Sequence, residues 1–237
     1  MSEVSDADRQ ADLQAGLQAV WRRITVACER AERESSQISL IVVTKTFPAS
    51  DVRLLTGLGV REVGENKVQE AQAKADEGAF DGIRLHLIGQ VQTNKAAAAA
   101  RLADVVHSLD RPKLARALAA GRERAGTAPL PVLVQISLDG DPARGGVPRE
   151  ALADLVDCIL QQPALRLAGV MGVPPRGAEP YAAFTDLARL AAQVREQAPE
   201  ASMLSAGMSS DLEAAVRAGA THLRVGSAIL GSRPSLR

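Results

Sequence analysis

The stretch Leu40-Ile41-Val42-Val43-Thr44-Lys45-Thr46-Phe47-Pro48 runs through four aliphatic residues and stops at a lysine between two threonines. Four aliphatics in a row, with a proline soon after, read as a strand buried on both faces, as in a parallel sheet. Burial at the carboxyl end of such a strand disfavours a charged ammonium. The neutral amine favoured there is a nucleophile that can form a Schiff base with an aldehyde. Lys45 also fits a strand-end lysine that snorkels to water or pairs with a carboxylate.

On the amino-terminal side, residues 5–34 read as one long helix. Leu13, Leu17, Val20, Ile24 and Ala27 recur at three and four, with Trp21 as the expected packing anchor. On the carboxyl-terminal side, strands and helices alternate. Strands are expected over 60–63, 83–88, 104–109, 132–136, 165–171, 202–205 and 221–225. Helices fall between them: one opened by Pro48-Ala49-Ser50-Asp51 with Ser50 or Asp51 as cap, one over 68–77, one over 90–101, and one after an Asp110 cap. Three more follow over 150–161, 181–197 and 212–218. Eight strands in strict β-α alternation argue for a parallel sheet, and at this length for a closed (β/α)8 TIM-type barrel in the α/β class, with an extra N-terminal helix. No linker interrupts the rhythm. The expected organisation is therefore a single domain over 1–237, with the helix in 1–35 and the barrel in 38–233.

Composition narrows the function. The 28 basic and 28 acidic residues balance, so nothing favours nucleic acid or an anionic membrane. One Trp, one Tyr and three Phe leave no platform for stacked bases. No apolar run approaches the roughly 20 residues that span a bilayer, and residues 1–10 lack a signal-peptide core, so a cytoplasmic location is expected. Cys28 and Cys158 lie in helical patterns and read as buried thiols. His86, His107 and His222 each alternate with apolar strand residues, without metal-ligand spacing, and read as structural hydrogen-bonding groups; no metal site is expected.

In a barrel of this kind, chemistry sits where strands end, and phosphate often lies by the loops after strands seven and eight. Gly207-Met208-Ser209-Ser210 follows strand seven, and Gly226-Ser227 follows strand eight. Both supply hydroxyls and backbone N–H groups near a helix start, an anion site. Ser209 is equally a plain helix N-cap, and Gly226-Ser227 an ordinary turn. A Schiff-base lysine with a phosphate cradle suits pyridoxal 5'-phosphate (PLP), and also an aldolase acting on a sugar phosphate. Arg224 separates the two. It should point to the same side of strand eight as Gly226, and an arginine set against the pyridine nitrogen keeps that nitrogen unprotonated. A salt bridge inside the barrel is the competing role for Arg224.

At this point the chain resembles a known family. Val43-Thr44-Lys45-Thr46-Phe47-Pro48, Gly64-Glu65-Asn66-Lys67-Val68-Gln69-Glu70, and the run from His86 to Lys95 are similar to stretches of the pyridoxal-phosphate homeostasis proteins. These in turn resemble the N-terminal barrel of alanine racemase. The match continues with His107-Ser108-Leu109-Asp110-Arg111, Gly169-Val170-Met171-Gly172-Val173-Pro174, Leu204-Ser205-Ala206-Gly207-Met208-Ser209, and the segment from Leu223 to Arg233. The resemblance implies that Lys45 holds PLP as an internal aldimine and that Ser209, Gly226 and Ser227 bind its phosphate. It also implies that Arg224 faces the ring nitrogen and that Asn66 and Met171 lie near the ring. Lys67 stands where the family usually has an aromatic residue; this second amine either competes for the aldehyde or is simply solvated. Leu85, Leu87 and Ala206 replace a common Trp, Phe and Met.

A racemase needs two acid/base groups on opposite faces of the substrate carbon. Alanine racemase takes its second, a tyrosine, from a separate domain of a partner subunit, and no such domain is read here. Tyr181, the one tyrosine, starts a helix and is accounted for by packing with Phe184. The resemblance therefore implies a PLP carrier in cofactor homeostasis, with PLP-dependent apoenzymes as recipients and no catalysis of its own; a monomer is expected because no second subunit is needed to complete the site. A weak PLP-dependent racemase is the alternative.

Overall fold

The computed structural model describes residues 5–232. Eight parallel strands close into a barrel in sequential order: β1 (Ser39–Val43), β2 (Glu62–Glu65), β3 (Arg84–Leu87), β4 (Val105–Leu109), β5 (Leu130–Gln135), β6 (Leu165–Met171), β7 (Met203–Ser205) and β8 (His222–Val225). Closure comes from β1 pairing with β8, with Ile41 opposite Arg224 and Val42 opposite Val225. The expected α/β barrel is the fold. Strand edges differ by at most two residues from the sequence reading, and β6 matches it; β2 begins at Glu62 rather than Val60. Part of the expected barrel range, Arg233, lies outside the described residues, as do residues 1–4 of the N-terminal segment.

The connecting helices are α2 (Ala49–Gly57), α3 (Val68–Asp76), α4 (Ala96–Leu102), α5 (Pro112–Ala125), α6 (Leu152–Leu160), α7 (Pro180–Gln197) and α8 (Leu212–Arg217), with the four-residue α9 (Ser227–Leu230) after β8. The expected N-terminal helix is α1 (Asp6–Arg30); a 3-10 turn over Ser35–Gln37 leads into β1. Ser5 caps α1, accepting from the Asp8 N–H at 3.1 Å.

The first helix completes the outer ring, because α9 is too short to cover the β8–β1 side. The buried face Leu13, Leu17, Val20, Ile24 and Ala27 is the one the periodicity predicts. Gly16 brings α1 against α9, where a Cβ would sit 2.6 Å from the Ile229 carbonyl oxygen. Arg9 locks the start of α1 by forking onto Asp51 of α2 at 2.6 and 3.1 Å and reaching the Leu230 carbonyl at 3.2 Å. Asp51 is thus an ion-pair partner rather than a cap. Pro48 is the N-cap of α2 and makes no side-chain cap bond. Asp110 likewise does not cap α5: Arg111 occupies that position, and Asp110 pairs with Arg111 at 2.5 Å.

One large apolar cluster fills the space between the outer faces of the strands and the helices, with Phe184, Leu114, Leu118, Leu55 and Ile24 fully buried. A second, small cluster of Val105, Leu133, Ala168 and Met171 lies apart from it, in the lumen. Trp21 is not the anchor the sequence suggests. It is 40% exposed, and it lines a cavity of about 930 Å³ beside the amino ends of β1 and β2. Cys28 and Cys158 are buried free thiols. Among the described residues, no helix is long and apolar enough to cross a membrane.

Candidate cofactor site

The residues singled out from the sequence fall at the carboxyl ends of five strands that are neighbours around the barrel. Lys45 lies two residues past β1, and Asn66 one past β2. Met171 ends β6, Ser209 lies in the β7–α8 loop, and Arg224 with Gly226 and Ser227 closes β8. They therefore share one mouth and one arc of its rim. The 930 Å³ cavity lies at the opposite end and is lined by none of them, so its size is no guide to the chemistry.

Lys45 rides on a tight, constrained turn. The Phe47 N–H donates to the Thr44 carbonyl at 3.1 Å, and Thr46 sits at φ 68, a conformation costly for a β-branched residue. A buried ionic cluster holds that turn. The Thr44 hydroxyl donates to Glu65 Oε1 at 2.7 Å, and Lys74 Nζ donates to the same oxygen at 2.6 Å and to the Thr44 carbonyl at 2.8 Å. Glu70 accepts from the Thr46 N–H and lies 3.4 Å from Lys74. Burial pushes the Glu65 carboxyl up, offset in part by the Lys74 ammonium and the Thr44 hydroxyl. The Lys45 side chain itself is half-buried.

Ser209 is not the N-cap of α8; Asp211 stands there and makes no side-chain cap bond. Instead, the Asp211 carboxylate accepts from the Met208 N–H at 2.6 Å and fixes the loop. Gly207, at φ 89, begins that loop where a Cβ would collide with Ala215 at 2.6 Å. Ser209 is thereby turned toward the next loop, where its Oγ accepts from the Ser227 hydroxyl at 3.2 Å and from the Ala228 N–H at 3.3 Å. Both contacts are long, and both hydroxyls can rotate to donate to an anion placed between them. Gly226 lets this pair approach β1, since a Cβ there would stand 3.0 Å from the Val43 carbonyl oxygen, two residues before Lys45.

Arg224 is 5% exposed and points into the lumen. Among the described residues it makes no ion pair, so the salt-bridge role weighed from the sequence does not hold. Nη1 donates to Ser205 Oγ at 2.7 Å and Nη2 to the Gly172 carbonyl at 3.1 Å. Burial lowers it to about 10, which still leaves it charged at neutral pH. Met171 is buried, and Asn66 is half-buried with Gly89 packed on its backbone, where a Cβ would lie 2.3 Å from the Asn66 carbonyl oxygen. Lys67 is exposed at the N-cap of α3. Tyr181 lies on the outer helical layer, with the Arg217 guanidinium 4.0 Å from its ring centre.

Sequence reasoning missed the Glu65, Glu70 and Lys74 cluster. The i,i+4 spacing of Glu70 and Lys74 was visible, but such pairs usually lie on a solvated face.

The sequence matches the family described as Alanine racemase, N-terminal domain over residues 16–234. It is also 41% identical over 244 aligned positions to the Pyridoxal phosphate homeostasis protein of Mycobacterium tuberculosis, covering 95% of both chains. This chain belongs to the pyridoxal phosphate homeostasis protein family. Solved structures agree with that assignment. The PLP-bound structure of PipY from Synechococcus elongatus has a TM-score of 0.77 at 32% identity, covering 92% of this chain and 100% of that one. A protein from Bifidobacterium adolescentis has a TM-score of 0.88 at 28% identity, covering 96% and 98%. The expected family and barrel are thus both met.

Proposed function

We propose that this member of the family binds PLP at the barrel mouth, as a Schiff base on Lys45, and serves intracellular PLP homeostasis by holding and delivering the cofactor. Ser209, Gly226 and Ser227 receive the phosphate. Arg224 faces the ring nitrogen, and Asn66 and Met171 flank the ring. The donor set fits the group: a half-buried amine on a fixed turn, a two-serine cradle, and a buried cation with donors only. PLP supplies an aldehyde and, in enzymes, an electron sink.

The observation that carries this reading is Arg224. It is charged and buried, on the strand that pairs directly with the one leading to Lys45. A guanidinium at the ring nitrogen donates a hydrogen bond without giving up its proton, so the ring stays a poor acceptor of electrons. That favours storage over turnover. The protein acts as a monomer in the cytoplasm, and PLP-dependent apoenzymes are its recipients.

The test is the near-ultraviolet and visible spectrum of the purified protein with PLP, before and after borohydride, followed by peptide mapping. The expected result is an imine band that borohydride removes, with the label on Lys45. No band with excess PLP overturns the cofactor assignment. Racemisation of an amino acid that is robust and lost in Lys45→Ala would overturn the carrier role.

A further inference from the structure

Behind Arg224, the lumen holds polar side chains that the cofactor cradle does not use. His86 of β3, His107 of β4 and Ser205 of β7 are each 0% exposed. They connect in one file. Arg224 Nη1 lies 2.7 Å from Ser205 Oγ, Ser205 Oγ lies 2.9 Å from His107 Nδ1, and His107 Nε2 lies 2.8 Å from His86 Nδ1. The imidazoles meet edge-on, with centroids 5.0 Å apart and planes at 67°. Beyond them, His86 Nε2 faces Glu62 Oε2 across 3.9 Å, and among the described residues these two buried atoms have no hydrogen-bond partner.

The direction of every bond in this file follows from its first member. An arginine has donors only, so Ser205 Oγ accepts, and its own proton goes to His107 Nδ1. A neutral His107 then carries its proton on Nε2 and donates to His86 Nδ1. A neutral His86 in turn carries its proton on Nε2, aimed at Glu62. One small carboxyl rotation, or one water with these two atoms as partners, closes the last gap. A cation at the mouth and a carboxylate near the base thus end a file whose members all point the same way.

We propose that Glu62, His86, His107 and Ser205 form a one-way hydrogen-bond relay that positions Arg224 against the ring nitrogen of bound PLP. The proposal rests on the cofactor reading given above. These are positioning residues, since they act through Arg224. Burial supports neutral imidazoles: it lowers His86 to about 3 and holds His107 well below its ordinary value. The charged neighbours, Arg84 and Arg224, push the same way, as does His222. Apolar side chains fill the neighbouring lumen at Val105, Leu133 and Ala168. Filling the file with such residues would avoid the desolvation of four polar groups, so packing alone does not call for it.

Three histidines in the chain make the relay directly readable. In the protein without cofactor, histidine labelled with nitrogen-15 should show His86 and His107 as neutral Nε2–H tautomers. Neither should titrate between about pH 5 and 8, where a free imidazole does. An Nδ1–H tautomer or an imidazolium at either residue overturns the relay. In the PLP-loaded protein, His107→Leu should speed PLP release about fivefold, the worth of one hydrogen bond. His107→Gln should stay within about twofold of wild type, because its amide can accept from Ser205 and donate to His86. Equal release from all three proteins overturns the positioning role. Failure to take up PLP at all would instead sink the cofactor reading, and the two failures are distinct because the tautomers are read without PLP.

Discussion

The two faces of the same strands follow different rules. On β4, Val106 and Leu109 face outward into the continuous apolar layer under the helices, whereas His107 and Val105 face the lumen. The outer layer is built from interchangeable aliphatic contacts, where total buried volume matters more than which residue touches which. The lumen is built from pairs that only one partner can satisfy: Arg224 with Ser205, and His107 with His86. The outer face therefore carries stability, and the inner face carries orientation.

The largest test of that division is made in the outer layer. Phe184 is 1% exposed on α7. Phe184→Ala should cost about 3–5 kcal/mol by denaturant unfolding, the range for emptying a buried aromatic site. The protein that remains folded should bind PLP as tightly as wild type, because Phe184 touches the helical layer and not the mouth. A loss of PLP affinity at full folding would break the division.

A somewhat smaller loss of stability, with a site effect added, is expected at the turn that carries Lys45. Lys74→Met leaves Glu65 buried without its counter-ion and should cost about 3 kcal/mol. It also removes the donor to the Thr44 carbonyl, so Thr46 loses part of what holds it at φ 68. Stopped-flow mixing with PLP should then show slower formation of the imine band than in wild type. Adding Glu65→Leu should recover much of the stability, because an apolar pair of similar volume pays no desolvation cost, but not the rate. Recovery of both would make the cluster structural only.

The same contrast explains what the sequence could tell. The outer layer writes itself into periodicity. The spacing of Leu13, Leu17, Val20, Ile24 and Ala27 gave the buried face of α1, and the alternation of strands and helices gave the barrel. That Lys45, Ser209, Arg224 and Gly226 share one end of the barrel was legible because each follows or closes a strand, and the family resemblance quoted for those stretches makes them the candidate site. Local caps were read less well. Ser209 and Asp51 both have capping chemistry, yet each is claimed by a partner far along the chain: Ala228 for Ser209, and Arg9 for Asp51. Trp21 was misread for a related reason, since helical spacing fixes which residues share a face but not where that face meets an open cavity. The lumen file was invisible because its members come from β2, β3, β4, β7 and β8, and nothing in linear spacing tells which inward residues of a closed barrel will touch.

The mildest probe of the lumen is pH. Burial lowers His86 to about 3 and His222 to about 4, and holds His107 well below 6.5. The folded chain therefore keeps these imidazoles neutral where the unfolded chain protonates them. Their contribution to stability is whole above about pH 6.5 and is lost as the pH falls toward the folded values. Glu62 and Glu65 act in the opposite sense. Burial raises both, so the folded chain holds protons that the unfolded chain releases, and their contribution falls as the pH rises past 4.5. The windows overlap, and the wild-type curve reads only a difference. His107→Gln isolates one imidazole, because the carboxylates remain in both proteins. Between about pH 4.5 and 6, the slope of unfolding free energy against pH should drop by about one proton, or about 1.4 kcal/mol per pH unit. Urea unfolding at a series of pH values measures it. An unchanged slope would mean that His107 takes up its proton inside the folded barrel, and that the lumen is solvated in a way the outer layer is not.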